Sequence, residues 1–258
     1  MSELMPTVFI GHGSPMNVFA ESEHATMLKG AAKKWPRPES ILMVSAHWET
    51  AAASVLKVDQ PKVIYDFGGF PPELYKVQYP APGAPALAER VHELAPEVAL
   101  VNNWGFDHGA WTILHHLYPE AKIPMTQLSL SRAFNYRQHF ELAAKLKSLR
   151  AEGVLILGSG NLVHNLRAIK WQTDAPVYDW VTRFDRILRD KILERDLSFL
   201  LNPESIDAEL AHLAMPSLEH YLPVLYTLGS TEPGEKIDYL HEGIQNASIS
   251  MRSFVVGG

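Results

Sequence analysis

The sequence lacks cysteine, long apolar runs and dense positive charge, and each absence argues against a class of protein. Without cysteine there are no disulfides, thiolate metal ligands or cysteine nucleophiles. No apolar run approaches the roughly 20 residues that span a bilayer. The net charge is −6 and Lys33-Lys34 is the densest basic pair, which argues against a nucleic-acid partner. The first residues also lack the basic and apolar regions of a signal peptide, so we expect a cytoplasmic protein.

The chain has the length and the pattern of an α/β protein. Its 258 residues fall within the range of one such domain, so we expect residues 1–258 to form a single domain. Short apolar strands alternate with amphipathic helices, which predicts a central mixed, mostly parallel sheet with helices on both faces. The predicted strands comprise residues 7–10, 41–46, 74–79, 98–101, 125–130, 154–157 and 250–256. The predicted helices comprise residues 84–94, 135–149, 179–193 and 217–228. The proline- and glycine-rich residues 66–85 predict a long functional loop.

Two of the 12 histidines follow or end strong predicted strands. His12 lies between Gly11 and Gly13, which let the backbone turn sharply and let a ligand approach. His47 ends the second strong strand. Open α/β sheets bind ligands at the carboxyl ends of their strands, so two parallel central strands would bring these imidazoles together. That geometry favours a metal site, although each histidine alone is more often a surface residue in a turn.

His164 follows a third strong strand and the turn Gly158-Ser159-Gly160. Val163 occupies the position of the third glycine of a dinucleotide-binding fingerprint, and no helix clearly starts there. A glycine-rich turn that carries a histidine at the same sheet edge is more typical of an active-site loop. A neutral imidazole is a suitable general base near pH 7, so we expect His164 to serve in that role; the alternative is a hydrogen-bonded loop histidine.

The remaining histidines divide into possible site residues and surface residues. His108, beside a glycine and two aromatics, suits a pocket wall, but alone it is more often structural. His220 falls in the first turn of the predicted helix that Ser217 can cap, from which its side chain can project into a pocket; Glu219 is the other candidate for a third metal ligand.

Because adjacent helical residues point about 100° apart, at most one of the pair His115-His116 can face the site. The expected surface histidines are His24, His92, His139, His212 and His241.

Five segments, in order across nearly the whole chain, together resemble the class III extradiol ring-cleaving dioxygenases, the superfamily of protocatechuate 4,5-dioxygenase. The likeness is greatest to the 4,5-DOPA extradiol dioxygenase branch. Each segment alone is weak, but five in order are specific. They are Gly11-His12-Gly13-Ser14-Pro15, Ser45-Ala46-His47-Trp48, Asp107-His108-Gly109-Ala110-Trp111, Gly158-Ser159-Gly160-Asn161-Leu162-Val163-His164-Asn165 and Pro216-Ser217-Leu218-Glu219-His220-Tyr221-Leu222-Pro223.

The resemblance implies a non-haem metal in a pocket at the sheet edge, where a small catechol such as L-DOPA reacts with O2 to give a muconic semialdehyde. His12 and His47 match the family's paired metal histidines, His164 matches its acid–base histidine, and His108 matches a histidine that contacts substrate or oxygen. The protocatechuate type uses a glutamate as third ligand and the DOPA branch a histidine, so we expect His220 and keep Glu219 in reserve. Fe(II) is the expected catalytic ion, and Zn(II) can occupy the site on purification.

Two other functions stay open at this point. A zinc hydrolase would use the same histidines with a bound water, and a non-catalytic member of the fold would bind a metal or a partner only. A nucleotide-dependent enzyme is disfavoured, because neither a P-loop nor a complete dinucleotide fingerprint is present. The expected partners are a small catechol and O2, with no nucleic acid or membrane, in a monomer or small homo-oligomer. The candidates for ring-stacking aromatics are Trp48, Phe70 and Trp111.

Overall fold

A computed structural model describes residues 4–172 and 175–257 of the chain. Through residue 160 strands largely alternate with helices, as expected from the sequence; beyond it four described α-helices are followed by four strands. The strands are β1 (Thr7–Gly11), β2 (Ser40–Thr50), β3 (Ser54–Leu56), β4 (Ala99–Val101), β5 (Met125–Ser131), β6 (Val154–Gly160), β7 (Ile237–His241), β8 (Ile244–Gln245), β9 (Ile249–Ser250) and β10 (Ser253–Val256). The helices are α1 (Glu23–Ala31), α2 (Pro85–Leu94), α3 (His108–Leu117), α4 (Tyr136–Lys145), α5 (Asp179–Leu193), α6 (Leu197–Leu200), α7 (Ala208–Ala214) and α8 (Pro223–Gly229).

Eight strands form one mixed sheet in the order β4-β3-β5-β2-β6-β1-β10-β7. The four central strands, β5, β2, β6 and β1, are parallel to one another. Both outer parts of the sheet contain antiparallel pairs, β3 with β5 on one side and β10 with its two neighbours on the other. The predicted mixed, mostly parallel sheet is therefore confirmed.

The central strands are buried on both faces, because successive side chains point to opposite sides of the sheet. In β2, Leu42 and Val44 join a core covered by α2, α4, α5, α7 and α8. The alternate residues Ile41 and Met43 join a second core, covered by α1 and α3. Helices on both faces are thus confirmed. None of the described helices is long and apolar enough to cross a bilayer.

The predicted strand over residues 74–79 is wrong. Leu74–Lys76 forms one turn of 3-10 helix, and the residues that follow are irregular. Leu74 and Val77 are both buried three positions apart, which fits the period of a 3-10 turn better than the period of two in a strand. The surrounding residues 57–84 form a long irregular loop, as the proline and glycine content predicts.

Other predicted elements differ at their ends. β2 continues past residue 46 through His47, and its register with β5 shifts between Val44 and Glu49. The predicted closing strand is split, since β9 pairs with β8 while β10 joins the main sheet. α4 ends at Lys145 and a 3-10 turn follows, although Asn135 caps its start with a complete capping box.

Candidate metal centre

The carboxyl ends of the central strands bring three of the predicted site histidines together. His12 follows β1, and its backbone N–H donates to the carbonyl of Gly160 at the end of β6 (N···O 3.1 Å). His47 lies within β2, and His108 is the first residue of α3. The ring centroids of His12 and His47 are 4.9 Å apart, and those of His47 and His108 are 3.8 Å apart.

The turn after His12 requires glycine. Gly13 has φ +61°, a left-handed conformation that side chains with a Cβ rarely adopt. A Cβ at this position would also collide with the Gln245 side-chain oxygen and lie 2.5 Å from the Met251 sulfur. Gly13, one of the flanking glycines identified in the sequence, thus allows the tight backbone turn that follows His12.

His220 is not positioned by the first turn of a helix, as the sequence predicted. α8 begins only at Pro223, a residue favoured at the first helical position, so His220 precedes the helix. Ser217 caps no helix; its hydroxyl donates to Glu219 Oε1 (2.9 Å). The His220 carbonyl accepts from the Asn161 N–H (2.9 Å), and a Cβ on Gly160 would collide with that carbonyl. Close contact with the end of β6 therefore places His220.

The rings of His12, His47 and His220 form a nearly equilateral triangle. Their centroids are 4.9, 5.3 and 5.0 Å apart. Imidazoles that bind one ion through nitrogens at about 2.1 Å have centroids about 5 Å apart. The 3.8 Å between His47 and His108 is short for two ligands of one ion. The centroid spacing therefore favours His220 over His108 as the third ligand, although donor atoms of His12, His47 and His108 also lie within 4.8 Å of one another.

Hydrogen-bond acceptors hold the Nδ1 atoms of these rings. Ser159 Oγ donates its own proton to the Gly109 carbonyl (2.6 Å), so toward His12 Nδ1, 3.0 Å away, it can only accept. His220 Nδ1 lies 3.0 Å from Glu219 Oε1. An ionised carboxylate also only accepts, so both imidazoles carry their proton on Nδ1 and a lone pair on Nε2.

Asp66 serves the other two rings and was missed by the sequence analysis. His108 Nδ1 donates to Asp66 Oδ2 (2.9 Å), the His108 backbone N–H donates to Oδ1 (3.0 Å), and His47 Nδ1 lies 3.1 Å from Oδ2. Burial raises the pKa of Asp66, but its bonds to His108 and His47 outweigh burial and hold this pKa well below its ordinary value. The only sequence signal was an acid at the start of the predicted functional loop, residues 66–85.

The resulting lone pairs face one another. His12 Nε2 and His47 Nε2 are 3.0 Å apart, and with both protons on Nδ1 neither nitrogen can donate to the other. Two lone pairs at this distance need a positive charge between them. Ligand nitrogens about 2.1 Å from one ion, at right angles, are about 3.0 Å apart. A divalent metal therefore fits the donors.

His220 offers a further free donor. Its Nε2 is buried without a hydrogen-bond partner among the described residues, and such an atom is costly unless a ligand satisfies it. Burial, followed by the charges of neighbouring histidines, lowers the pKa of both His12 and His220 well below the usual value. Both rings are thus neutral at pH 7, the state that binds metals.

His164 and Glu219 lie beside His220. The His164 ring stacks on the His220 ring, with centroids 3.4 Å apart and planes 10° apart. Donor atoms of His164, Glu219 and His220 lie within 4.8 Å of one another, as do those of His12, His47 and His108. Burial lowers the pKa of His164 to about 4, helped by the charge of His47, so its imidazole is neutral at pH 7.

A cavity of about 590 Å³ opens over these histidines. Of the predicted stacking aromatics, Phe70 lines it, together with Phe67 and Trp171. Trp48 and Trp111 instead belong to the core beneath α1 and α3, so they are not among the lining residues. Three acids line the cavity, namely Glu49, Asp66 and Glu219.

Two of the predicted surface histidines are buried. His24 is 6% exposed and His139 is fully buried, with its Nδ1 2.9 Å from the Tyr226 hydroxyl. Both histidines lie on the buried face of an amphipathic helix. The His139 ring contacts the Tyr226 hydroxyl there, and the His24 ring lies beside the His241 ring. His92 and His241 are partly exposed, and His212 is exposed as expected.

Comparison with known proteins agrees with this geometry. The family model described as the catalytic LigB subunit of aromatic ring-opening dioxygenase matches residues 7–256. The chain is 42% identical to 4,5-DOPA dioxygenase extradiol of Escherichia coli (strain K12), over 99% of this chain and 96% of that protein. It is 35% identical to the Beta vulgaris protein of the same name, over 96% and 95% of the two chains.

A solved structure shows the same fold. The crystal structure of a protein from Escherichia coli K12 superposes with a TM-score of 0.85 at 40% sequence identity, covering 98% of this chain and 100% of that one. The chain belongs to the family of the catalytic LigB subunit of aromatic ring-opening dioxygenases, and it is an extradiol ring-cleavage dioxygenase.

Proposed function

We propose that the enzyme cleaves the ring of a small catechol such as L-DOPA with O2 and releases a muconic semialdehyde. The observation that carries this proposal is the convergence of the imidazoles of His12, His47 and His220 beneath an open cavity, with the neutral imidazole of His164 stacked beside them. Several relatives carry the name 4,5-DOPA dioxygenase extradiol, which supports L-DOPA as the first substrate to test.

We propose His12, His47 and His220 as ligands of Fe(II). Glu219 is better placed to orient His220, because its Oε1 lies 3.0 Å from His220 Nδ1 and accepts from the Ser217 hydroxyl. Three imidazole ligands also suit zinc, which generally binds nitrogen sites more tightly than ferrous iron. The protein as purified is therefore expected to contain zinc unless it is loaded with iron.

The protein's own groups supply proton transfer and orientation. A bound ferrous ion would hold the catechol oxygens and O2 together and make the hydroxyls more acidic. His164 is neutral and lines the cavity, so it can take a hydroxyl proton and later return it. His108 donates from Nδ1 to Asp66, which leaves the Nε2 lone pair available to a substrate hydroxyl or to oxygen.

The cavity favours a substrate with a positive charge on its side chain. Its described lining includes Glu49 and Glu219 but no lysine or arginine. Burial and then the charge of Glu219 raise the pKa of Glu49, while the charge of Arg132 opposes that rise. An ammonium group would offset the negative charge of Glu219, as in L-DOPA, and Phe67 and Phe70 offer apolar walls for the ring.

We also propose that residues 1–258 form one catalytic domain, because β1 and β10, from opposite ends of the chain, pair in the same sheet. The family match favours ring cleavage over the hydrolase and the non-catalytic alternatives. A cytoplasmic location and a monomer or small homo-oligomer stay predictions.

An oxygen-electrode experiment tests the proposal. Metal-free protein is prepared without oxygen, loaded with Fe(II), mixed with L-DOPA and then exposed to air. We expect a yellow product and one O2 consumed per L-DOPA, and no uptake by the same protein loaded with Zn(II). If fully iron-loaded protein consumed no O2 with L-DOPA, dopamine or simple catechol, the proposed function would be wrong.

A further inference from the structure

Asp66 touches two site histidines at once. A single oxygen, Oδ2, accepts from His108 Nδ1 at 2.9 Å and lies 3.1 Å from His47 Nδ1. The other oxygen, Oδ1, accepts from the His108 backbone N–H at 3.0 Å. The Asp66 side chain is 14% exposed, so water has little access to compete for these contacts.

These contacts fix the tautomer of each imidazole ring. An ionised carboxylate has no proton to give, so both imidazoles must present N–H from Nδ1. The Nε2 lone pair of His47 is then directed at His12 Nε2, 3.0 Å away. Without Asp66, either nitrogen of His47 could carry the proton, and the tautomer protonated on Nε2 could not bind a metal through that atom.

The shared oxygen also fixes the two rings relative to each other. His47 lies on β2 and His108 begins α3, and their centroids are 3.8 Å apart. Asp66 belongs to neither element, since it lies in the irregular loop of residues 57–84. It therefore joins a strand, a helix and a loop at one point.

The next residue along this loop faces the cavity. Phe67 packs edge-to-face against His108, with centroids 5.5 Å apart, and it contacts Phe70 at 5.4 Å. Phe67, Phe70 and His108 all line the cavity. The carboxylate that orients the histidines thus also anchors the apolar wall over the proposed metal.

We propose that Asp66 is a positioning residue that fixes the Nδ1–H tautomers of His47 and His108 together, so that one lone pair points at the metal and the other at the bound substrate or oxygen. The proposal rests on the metal centre of the proposed function. A carboxylate behind a metal-binding histidine typically contributes 10–100-fold to metal affinity. Asp66 would act on two histidines through one oxygen.

The first test measures zinc affinity by chelator competition and the visible spectrum of the Co(II)-loaded protein, neither of which needs catalysis. Asp66→Asn keeps the shape but offers a single acceptor oxygen and an N–H2 group. We expect its zinc affinity to fall about 10–100-fold and its cobalt spectrum to change. Asp66→Glu, which keeps the carboxylate, should recover part of the loss.

Glu73→Gln is the matched control, because it removes the same charge from an exposed position on the same loop. Its zinc affinity and cobalt spectrum should equal those of the native protein. Native affinity and an unchanged spectrum in Asp66→Asn would overturn the proposal.

The second test needs no variant, which covers the case that Asp66→Asn does not fold. Nitrogen-15 NMR of the native zinc-loaded protein reports which nitrogen of each histidine carries the proton. We expect His47 and His108 to be protonated on Nδ1, and a proton on Nε2 of either ring would overturn the proposal. If zinc binds as expected but the iron-loaded protein cleaves no catechol, the proposed reaction fails while the role of Asp66 stands. A native protein that binds no zinc would overturn both.

Discussion

The protein contains two groups of neighbouring histidines, and only one of them is organised as a metal centre. In the site, Ser159, Asp66 and Glu219 accept at Nδ1, and the Nε2 atoms of His12 and His47 are 3.0 Å apart. In the second group, formed by His24, His116 and His241, the ring centroids of His24 and His241 are 5.2 Å apart, and His116 Nε2 lies 2.8 Å from the Asn17 carbonyl oxygen.

The difference lies in what surrounds the imidazoles. Among the described residues, the groups whose donor atoms lie within 4.8 Å of one another are both at the site. His24 is as buried as the site histidines, and its Nε2 also has no described partner. Burial and proximity are therefore shared by both groups. Within the part of the chain that the structure describes, the site differs from the second group in having Nδ1 acceptors that leave the Nε2 lone pairs of His12 and His47 facing each other.

The largest expected contrast comes from removing one histidine of each group. His12→Ala should lower zinc affinity by more than about 100-fold and abolish ring cleavage, because it deletes a proposed ligand rather than a residue that orients one. His24→Ala should keep one zinc per chain and native activity. Metal analysis after dialysis, together with oxygen uptake, measures both. Equal metal loss in the two variants would remove the distinction between the groups.

A smaller effect should separate the proposed ligands from the proposed proton-transfer histidine, His164. His164→Gln should lower kcat by about 10²–10⁴-fold, the usual contribution of a general acid–base group, while zinc affinity stays native. Steady-state oxygen uptake and chelator competition give the two values. Loss of zinc in this variant would instead make His164 a ligand.

The second group, through His24, should make the free energy of unfolding depend on pH. Burial, then the charges of His241 and His116, lower the pKa of His24 to about 3. Below pH 6.5 the unfolded chain takes up a proton that the folded chain refuses, so stability falls as the pH falls toward 3. Between pH 7 and pH 5 this costs about 2 kcal/mol.

Thermal unfolding of His24→Gln at both pH values measures that contribution. Its melting temperature should drop less between pH 7 and pH 5 than that of the native protein. His212→Gln, at an exposed histidine, serves as the control and should behave like the native protein. An identical drop in all three would contradict the role of His24.

The smallest expected effect comes from substituting Glu49, an acid that lines the cavity. Glu49→Gln should raise KM for L-DOPA and dopamine about 5-fold, the size of one partly exposed ion pair, with little change in kcat. KM for uncharged catechol should stay the same. A uniform change for all three substrates would show that Glu49 does not sense side-chain charge.

Local sequence patterns were sufficient for much of the fold. Apolar runs predicted β1, β5 and β6, and helical periodicity predicted α2 and α5, because each pattern depends on residues close together in the chain. The strand predicted over residues 74–79 is wrong because Tyr75, Val77 and Tyr79 alternate with polar residues, which imitates the period of a strand. His220 was placed in a helix that begins only at Pro223.

By itself, the sequence determined the α/β class, the place of His12 directly after β1 and the segment that carries His164 after β6, since strand order along the chain and glycine-flanked turns are local properties. Only the tertiary structure decided that Asp66 contacts both His47 and His108, that His220 packs against Gly160, and that His24 is buried beside His241. The residues in these contacts are far apart in the chain: Asp66 is 19 positions from His47, and Gly160 is 60 positions from His220. Proton placement on an imidazole depends on such distant acceptors, so it became visible only once the chain was folded.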